Sequence, residues 1–214
     1  VQLGLDLFHA RHADVGVQLN VMRYPYSFSS DDRTPAQRLS TSTLPGVGTQ
    51  EGSEPTWHDA ILAFDCHNNV RSCAANEAQM LQLGRKAGVE LDYGVKANWQ
   101  PVESQRAMLW ARRFGAAEVF MDELGTRHFE QQKSASHRGT LLESASAAGL
   151  DAAALDVFLD TDELDAYVWE SYGSTIRDKG IHAIPLFVFG PRGMKSPFRA
   201  GTEKAVTVNG SGDA

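Results

Sequence analysis

The residues best suited to chemistry lie near the C-terminal end of the chain, between Gly180 and Gly190. Ile184 and Pro185 precede a short run of aromatic and β-branched residues, a pattern that predicts a buried strand. Proline cannot donate a hydrogen bond to a sheet, so Pro185 marks the beginning of that strand. An X-Pro bond is also where a cis peptide costs least, which makes Ile184-Pro185 a candidate functional turn. An ordinary trans proline is the alternative, and trans is the commoner isomer.

Three histidines are candidates for a chemical role, one near the Ile184-Pro185 turn and two near the start of the chain. His182 lies two residues before Ile184, where an imidazole could assist proton transfer, although the residues favour an ordinary loop histidine. His9 and His12 share one face of a predicted helix and could in principle bind a metal, but solvated surface histidines are favoured. We therefore predict no metal site from these residues.

Cys66 and Cys73 are the only cysteines, and the turn-forming residues between them could let the two sulfurs approach. A structural or regulatory disulfide is one alternative. Two unpaired thiols at the ends of neighbouring helices are the favoured one. The spacing is not that of a Cys-x-x-Cys active site, so we assign the pair no catalytic role. A zinc site that includes His67 lacks a fourth ligand nearby.

Composition excludes several classes of function. Twenty Lys and Arg against 27 Asp and Glu give a formal net charge of -7, and no basic block could hold nucleic acid or dock on anionic lipid. No apolar run approaches the roughly 20 residues that span a bilayer. The chain begins at Val1 within a helical pattern, so we expect an upstream segment, with any targeting signal, to be missing. The compartment, cytoplasmic or organellar, stays open.

The elements that must position the proline turn come from both ends of the chain. Residues 1 to about 13 predict the end of a helix, and strict alternation from Val15 to Val21 predicts a half-buried strand. Residues 25–53, rich in Ser, Thr, Pro and Gly, predict a long surface excursion. Near the other end, Asp160 to Glu163 predict the start of a helix that stops at Gly180.

Between these ends lies a block of predicted helices. Their expected spans are 57–64, 74–88, 102–114, 116–129, 137–149 and 152–158, with Val89 to Tyr93 as a short extended piece. The four tryptophans fall in or beside apolar faces of this block and the last helix, which indicates packing rather than a ligand cage. After Gly190, a turn at 191–193 and a second strand from Lys204 to Val208 predict a hairpin.

This order resembles the thioredoxin-like fold of the DsbA family, specifically its FrnE-type branch. The most specific match is Gly180 to Phe189, where that family has a glycine, an apolar run and a cis-proline before a strand. Val15 to Pro25 is similar to the family's second strand. Pro101 to Phe114 and His137 to Leu150 resemble two of its helices, and Asn209 to Gly212 its small-residue turn after the last strand.

The chain departs from the family pattern at both ends. The family's Cys-x-x-Cys, at the start of the first helix, is absent, and we expect it immediately upstream of Val1 or lost. The family's closing helix is also absent. The expected fold is therefore α/β and thioredoxin-like, with a large helical insertion, without its first strand and final helix. The expected domains are residues 1–24 with 161–214 as the thioredoxin-like domain, 25–53 as an irregular excursion and 54–160 as the helical insertion.

The resemblance implies a thiol-disulfide oxidoreductase relative without an active redox pair in this chain. It also implies a cis Pro185, which would leave the backbone of Ile184 free to bind a protein or peptide thiol, with His182 beside it. No cofactor is then expected. One alternative is a glutathione-dependent isomerase or transferase with the same fold, which would bind glutathione. The other is a non-catalytic thioredoxin-like subunit of a larger complex, which would use its insertions for partner contacts.

Overall fold

The architecture was determined from a computed structural model, which describes residues 2–16, 19–27, 46–47, 49–64, 66–99, 101–177, 181, 186–190 and 206–209. The chain forms two compact units. One unit combines Val1–Asp32 with Trp169–Ala214, and the other is the continuous segment Arg33–Val168. Because the first unit is assembled from both ends of the chain, the second is an insertion in it.

The part of the chain that the structure describes is mainly helical. Its helices are α1 (Gln2–Arg11), α2 (Trp57–Phe64), α3 (Val70–Lys86), α4 (Val102–Arg112), α5 (Ala117–Glu130), α6 (Arg138–Ala147), α7 (Ala152–Leu159) and α8 (Asp165–Arg177). Two strands, β1 (Leu186–Phe189) and β2 (Val206–Asn209), complete the described elements. None of these helices is both long and apolar enough to cross a membrane.

Helix α4 is the centre of the inserted unit. It packs against α5, α6 and α7, and its residues from Arg106 to Ala111 are all buried. Arg106 is only 3% exposed and is held there by three hydrogen bonds. Its guanidinium donates to the carbonyls of Thr161 and Glu163, which precede α8, and to the carboxylate of Glu103. This one side chain thus joins α4 to the segment between α7 and α8.

Local sequence signals account for several helix ends. The carboxylate of Asp151 accepts hydrogen bonds from the amides of Ala153 and Ala154, which satisfies two free donors at the start of α7. Gly115, with a φ of 72°, separates α4 from α5, because a left-handed turn is cheap only for glycine. The predicted helices of this block are confirmed, with ends that differ by a few residues.

Helix α8 begins later than the sequence predicts. Its expected start at Asp160 to Glu163 is wrong, because Thr161 closes the previous turn and Leu164 has a φ of 68°, outside helical geometry. The helix begins at Asp165 instead. The side chains of Val168 and Tyr172, four positions apart in α8, are fully buried.

The first unit differs from its expected form between Asp14 and Ser27. Helix α1 ends at Arg11, and no strand forms among the described residues of the predicted strand Val15 to Val21. Alternation alone does not make a strand, because strand hydrogen bonds need a partner backbone. The near end of the predicted surface excursion is buried, since Ser27 is 1% exposed and the carbonyl of Pro25 accepts a hydrogen bond from Ser171.

Candidate functional site

The predicted strand after Pro185 is present and begins at Leu186. It pairs antiparallel with β2, with Phe187 opposite Val208 and Phe189 opposite Val206, which confirms the predicted hairpin. The prediction that the strand is buried is wrong: Phe187 and Phe189 are 44% and 50% exposed, and only the alternate side chains are half-buried. In a strand, successive side chains point to opposite faces, so covering one face leaves the other to solvent.

The turn itself lies outside the described residues. His182, Ile184 and Pro185, the predicted substrate-binding residues, all belong to this part, and their predicted roles stay predictions. Ile181, just before them, is buried at 8% exposure. The chain thus enters the turn from a buried residue and leaves it into a paired strand.

The two cysteines form a disulfide, so the favoured prediction of two free thiols is wrong. The Cα atoms of Cys66 and Cys73 are 5.6 Å apart, well within the range for a disulfide. The turn between α2 and α3 brings them together. Asn69 caps α3 by accepting a hydrogen bond from the amide of Ser72, while His67 and Asn68 have left-handed φ values of 47° and 63°.

This disulfide has limited value as a structural crosslink. Because Cys66 and Cys73 are seven positions apart, the bond removes little chain entropy from the unfolded state. The entropic model gives about 2.5 kcal/mol for so short a loop, against about 4.7 kcal/mol for a loop of roughly 100 residues. The loop is, moreover, already held to α2, because the amides of Cys66 and Asn68 donate to the carbonyls of Ile61 and Leu62.

A buried acid and an imidazole pair elsewhere in the inserted unit. Glu54 is 5% exposed, and its carboxylate lies 3.0 Å from Nε2 of His137. The amide of Gly52 donates to the second carboxylate oxygen at 2.7 Å. Both oxygens of Glu54 are therefore satisfied, as a buried carboxylate requires. No local sequence pattern indicates this pair, because the two residues are 83 positions apart.

His128 lies close to this pair and is kept neutral. It is 8% exposed, packs edge-on against Trp57, and its Nδ1 accepts a hydrogen bond from the amide of Ala135. Burial, helped by the charge of His137, lowers the pKa of His128 to about 4. A charged imidazole here would lose its hydration without gaining a partner for the charge.

The stability of the protein is expected to fall as the pH drops from about 6.5 to about 4, because His128 protonates more readily in the unfolded state. The folded pKa of about 4 lies below the ordinary 6.5, so the unfolded chain binds the extra proton in this window. The loss is at most about 3 kcal/mol. Urea unfolding at several pH values measures it. His128→Gln should flatten the slope, whereas the exposed His9→Gln should not; equal slopes in all three proteins would contradict this assignment.

An open cleft of about 390 Å³ lies where α2 and α3 meet the segment 91–94. His58 Nδ1 is 2.6 Å from a carboxylate oxygen of Glu77, and Leu81 and Leu91 provide apolar walls. Burial, and to a smaller extent the charge of Glu77, raises the pKa of Tyr93 at its rim. The three polar groups can form hydrogen bonds with a small polar ligand. Sequence reasoning missed the cleft because its residues come from three separate segments.

The predictions about aromatic residues and metals can also be compared with the structure. Trp99, Trp110 and Trp169 are each at most 6% exposed, so the prediction that the tryptophans pack rather than bind a ligand is confirmed for these three. Trp57 is half-buried and packs against Trp99.

His9 and His12, the residues considered as metal ligands, are exposed. Within the described part of the chain, no three His, Cys, Asp or Glu side chains come together as a metal site.

No protein-family model matches this chain, and no curated protein sequence matches it either. The function must therefore be argued from the residues and from the arrangement of the two units.

Proposed function

We propose that the chain is a large part of a thiol-disulfide oxidoreductase of the DsbA-like, FrnE type. One observation carries the proposal: Val1–Asp32 and Trp169–Ala214 form one unit although the helical segment Arg33–Val168 separates them in sequence. A thioredoxin-like domain interrupted by a helical insertion has this discontinuous organisation.

The elements of the first unit support the proposal. Helix α8 leads through the Ile184-Pro185 turn into β1, and β1 pairs antiparallel with β2, the order expected at the end of a thioredoxin-like domain. The hydroxyl of Ser171 in α8 donates to the carbonyl of Pro25, so the segment after α1 and the last helix belong together. In the proposal, α8 and β1 would together fix the position of the turn that joins them.

In the proposed mechanism the chain supplies substrate alignment and an upstream segment supplies the redox pair. A thiolate of the Cys-x-x-Cys before Val1 would attack a substrate disulfide, and the second cysteine would resolve the mixed disulfide. The backbone of Ile184, exposed by a cis bond to Pro185, would pair with the extended substrate. His182 would move a proton near the reacting sulfurs.

Turnover of the native protein in a disulfide-reduction assay tests this proposal. Its N-terminal sequence should contain a Cys-x-x-Cys upstream of Val1, and replacing the first of those cysteines by serine should abolish turnover. Pro185→Ala should lower turnover at least about tenfold, because a non-proline bond strongly disfavours the cis form. Pro191→Ala, in the predicted turn after β1, is the matched control and should leave turnover unchanged.

Two results would replace the proposal with its alternatives. A serine in place of the cysteine pair, together with glutathione binding that Pro185→Ala weakens, would indicate a glutathione-dependent isomerase or transferase. A native protein that has neither the cysteine pair nor the serine, and that shows no turnover, would indicate a non-catalytic subunit of a larger assembly.

A further inference from the structure

The Cys66–Cys73 disulfide is unequally accessible at its two ends. Cys73 is only 2% exposed and lies in the first turn of α3, whereas Cys66 lies in the preceding loop and is partly exposed. A thiolate displaces one sulfur of a disulfide by attacking the other, so access decides which sulfur is attacked. Here an incoming thiolate can reach Cys66, and Cys73 becomes the leaving group.

The position of Cys73 suits a leaving group. It is the fourth residue of a 17-residue helix whose first amides point toward its N-terminus. The partial positive charge at that end stabilises a thiolate in the first turn. Burial disfavours the thiolate form of Cys73 and so opposes the effect of the helix. Burial also prevents direct attack on Cys73, so the exchange begins at Cys66.

The loop between the cysteines reverses the chain sharply. His67 and Asn68 are consecutive non-glycine residues with left-handed φ values of 47° and 63°. Histidine and asparagine are among the non-glycine residues that adopt this backbone region most readily, so the chain can reverse here without a glycine. Because Cys66 is partly exposed, a thiolate meets the bond from that side.

We propose that Cys66 and Cys73 form a thiol-exchange site for low-molecular-weight thiols of the glutathione class, with Cys66 as the sulfur that is attacked. A small thiol fits because Cys66 is partly and not fully exposed, which restricts approach by a thiol on a folded protein surface. None of the residues in the proposed oxidoreductase mechanism takes part in this exchange.

The exchange is balanced by two equivalents of the small thiol. The first thiolate attacks Sγ of Cys66, the Cys66–Cys73 bond breaks, and Cys73 leaves as a thiolate that takes up a proton. The second thiolate attacks the small-molecule sulfur of this mixed disulfide and releases Cys66. The two small thiols are thereby oxidised to their disulfide, while the protein disulfide gains two electrons and two protons.

Mass spectrometry of the 214-residue chain tests the site cleanly, because the chain contains only two cysteines. The probe is glutathione in buffers of graded ratio of reduced to oxidised form, followed by alkylation and intact-mass measurement. The folded chain, monitored by its far-UV helical signal, is expected to pass from disulfide to dithiol through a glutathione adduct. Peptide mapping should place that adduct on Cys66.

Two single variants provide the matched comparison. In oxidised glutathione, Cys73→Ser should accumulate a stable adduct on Cys66, and Cys66→Ser should form its adduct at least about tenfold more slowly because Cys73 is buried. Equal rates would overturn the proposal. If either variant fails to fold, mapping of the wild-type adduct still decides, and an adduct on Cys73 overturns the assignment.

Other outcomes also overturn the proposal. The bond would be purely structural if glutathione opened it only after urea had unfolded the chain. The ligand class would be wrong if a reduced protein dithiol opened the bond in the folded chain and glutathione did not. Neither outcome bears on the Pro185 variants, so a failure here can be told apart from a failure of the proposed oxidoreductase function.

Discussion

Replacing Arg106 by alanine is expected to lower the free energy of unfolding by about 3–5 kcal/mol. The side chain is 3% exposed and donates to two backbone carbonyls and the Glu103 carboxylate. Its removal leaves the carbonyls of Thr161 and Glu163 without these donors and opens space beside the ring of Phe158, 5.1 Å from the guanidinium carbon. Urea unfolding monitored by far-UV circular dichroism measures the loss.

Arg113 provides the matched control for this prediction. It also pairs with Glu163, at 2.6 Å, and it also lies over the Phe158 ring, but its side chain is 42% exposed. Arg113→Ala should cost less than about 1 kcal/mol, because solvent screens an exposed pair. Arg106→Lys should recover little, since one ammonium cannot reproduce the geometry of the guanidinium. Similar losses for Arg106→Ala and Arg113→Ala would show that burial does not set the value of this contact.

Replacing Gly46 by alanine is expected to destabilise the inserted unit by about 3 kcal/mol or more. Gly46 has a φ of 76°, and a Cβ placed on it would lie 1.9 Å from the carbonyl oxygen of Ala97. That oxygen belongs to backbone packed in a cluster with Ala60 and Trp99, so it cannot move aside cheaply. Thermal and urea unfolding of the variant would measure the loss, which should appear as a lower transition midpoint.

Gly52→Ala is the control that distinguishes the two causes of this loss, the left-handed backbone conformation and the clash with Ala97. Its φ of 87° is equally left-handed, but a Cβ there meets nothing within 4 Å. Gly52→Ala should therefore cost only about 1 kcal/mol, the conformational part alone. The difference between the two variants isolates the backbone clash at Ala97. If Gly46→Ala proved no worse than Gly52→Ala, the close approach of these two segments would be absent in solution.

Most helices of the inserted unit could be predicted because their signals are local. Asp151 caps α7, Gly115 separates α4 from α5, and the apolar spacing along each helix indicates its buried face. The same local chemistry predicts β1 and β2, since glycines and turn residues bound two short β-forming runs. The alternation of apolar residues between Val15 and Val21 is also a local signal, but the strand it predicts is wrong. A strand needs a partner backbone for its hydrogen bonds, and no partner strand is paired with the described residues there.

The chemical groups of the inserted unit could not be predicted in the same way. The pairing of Glu54 with His137, of His58 with Glu77, and the burial of Arg106 depend on segments that are distant in sequence. Each of these residues, taken alone, is most often solvated. Only packing of the whole segment brings them together.

The sequence by itself determined where most helices and the final hairpin lie, because helix caps, glycines at the ends of elements and apolar periodicity act within a few residues. It also singled out Ile184 and Pro185, whose chemistry follows from proline's missing donor. The tertiary structure alone decided that Glu54 pairs with His137, and that Cys66 is partly exposed while Cys73 is buried. These properties depend on which surfaces exclude water, and that is settled only when the whole chain packs.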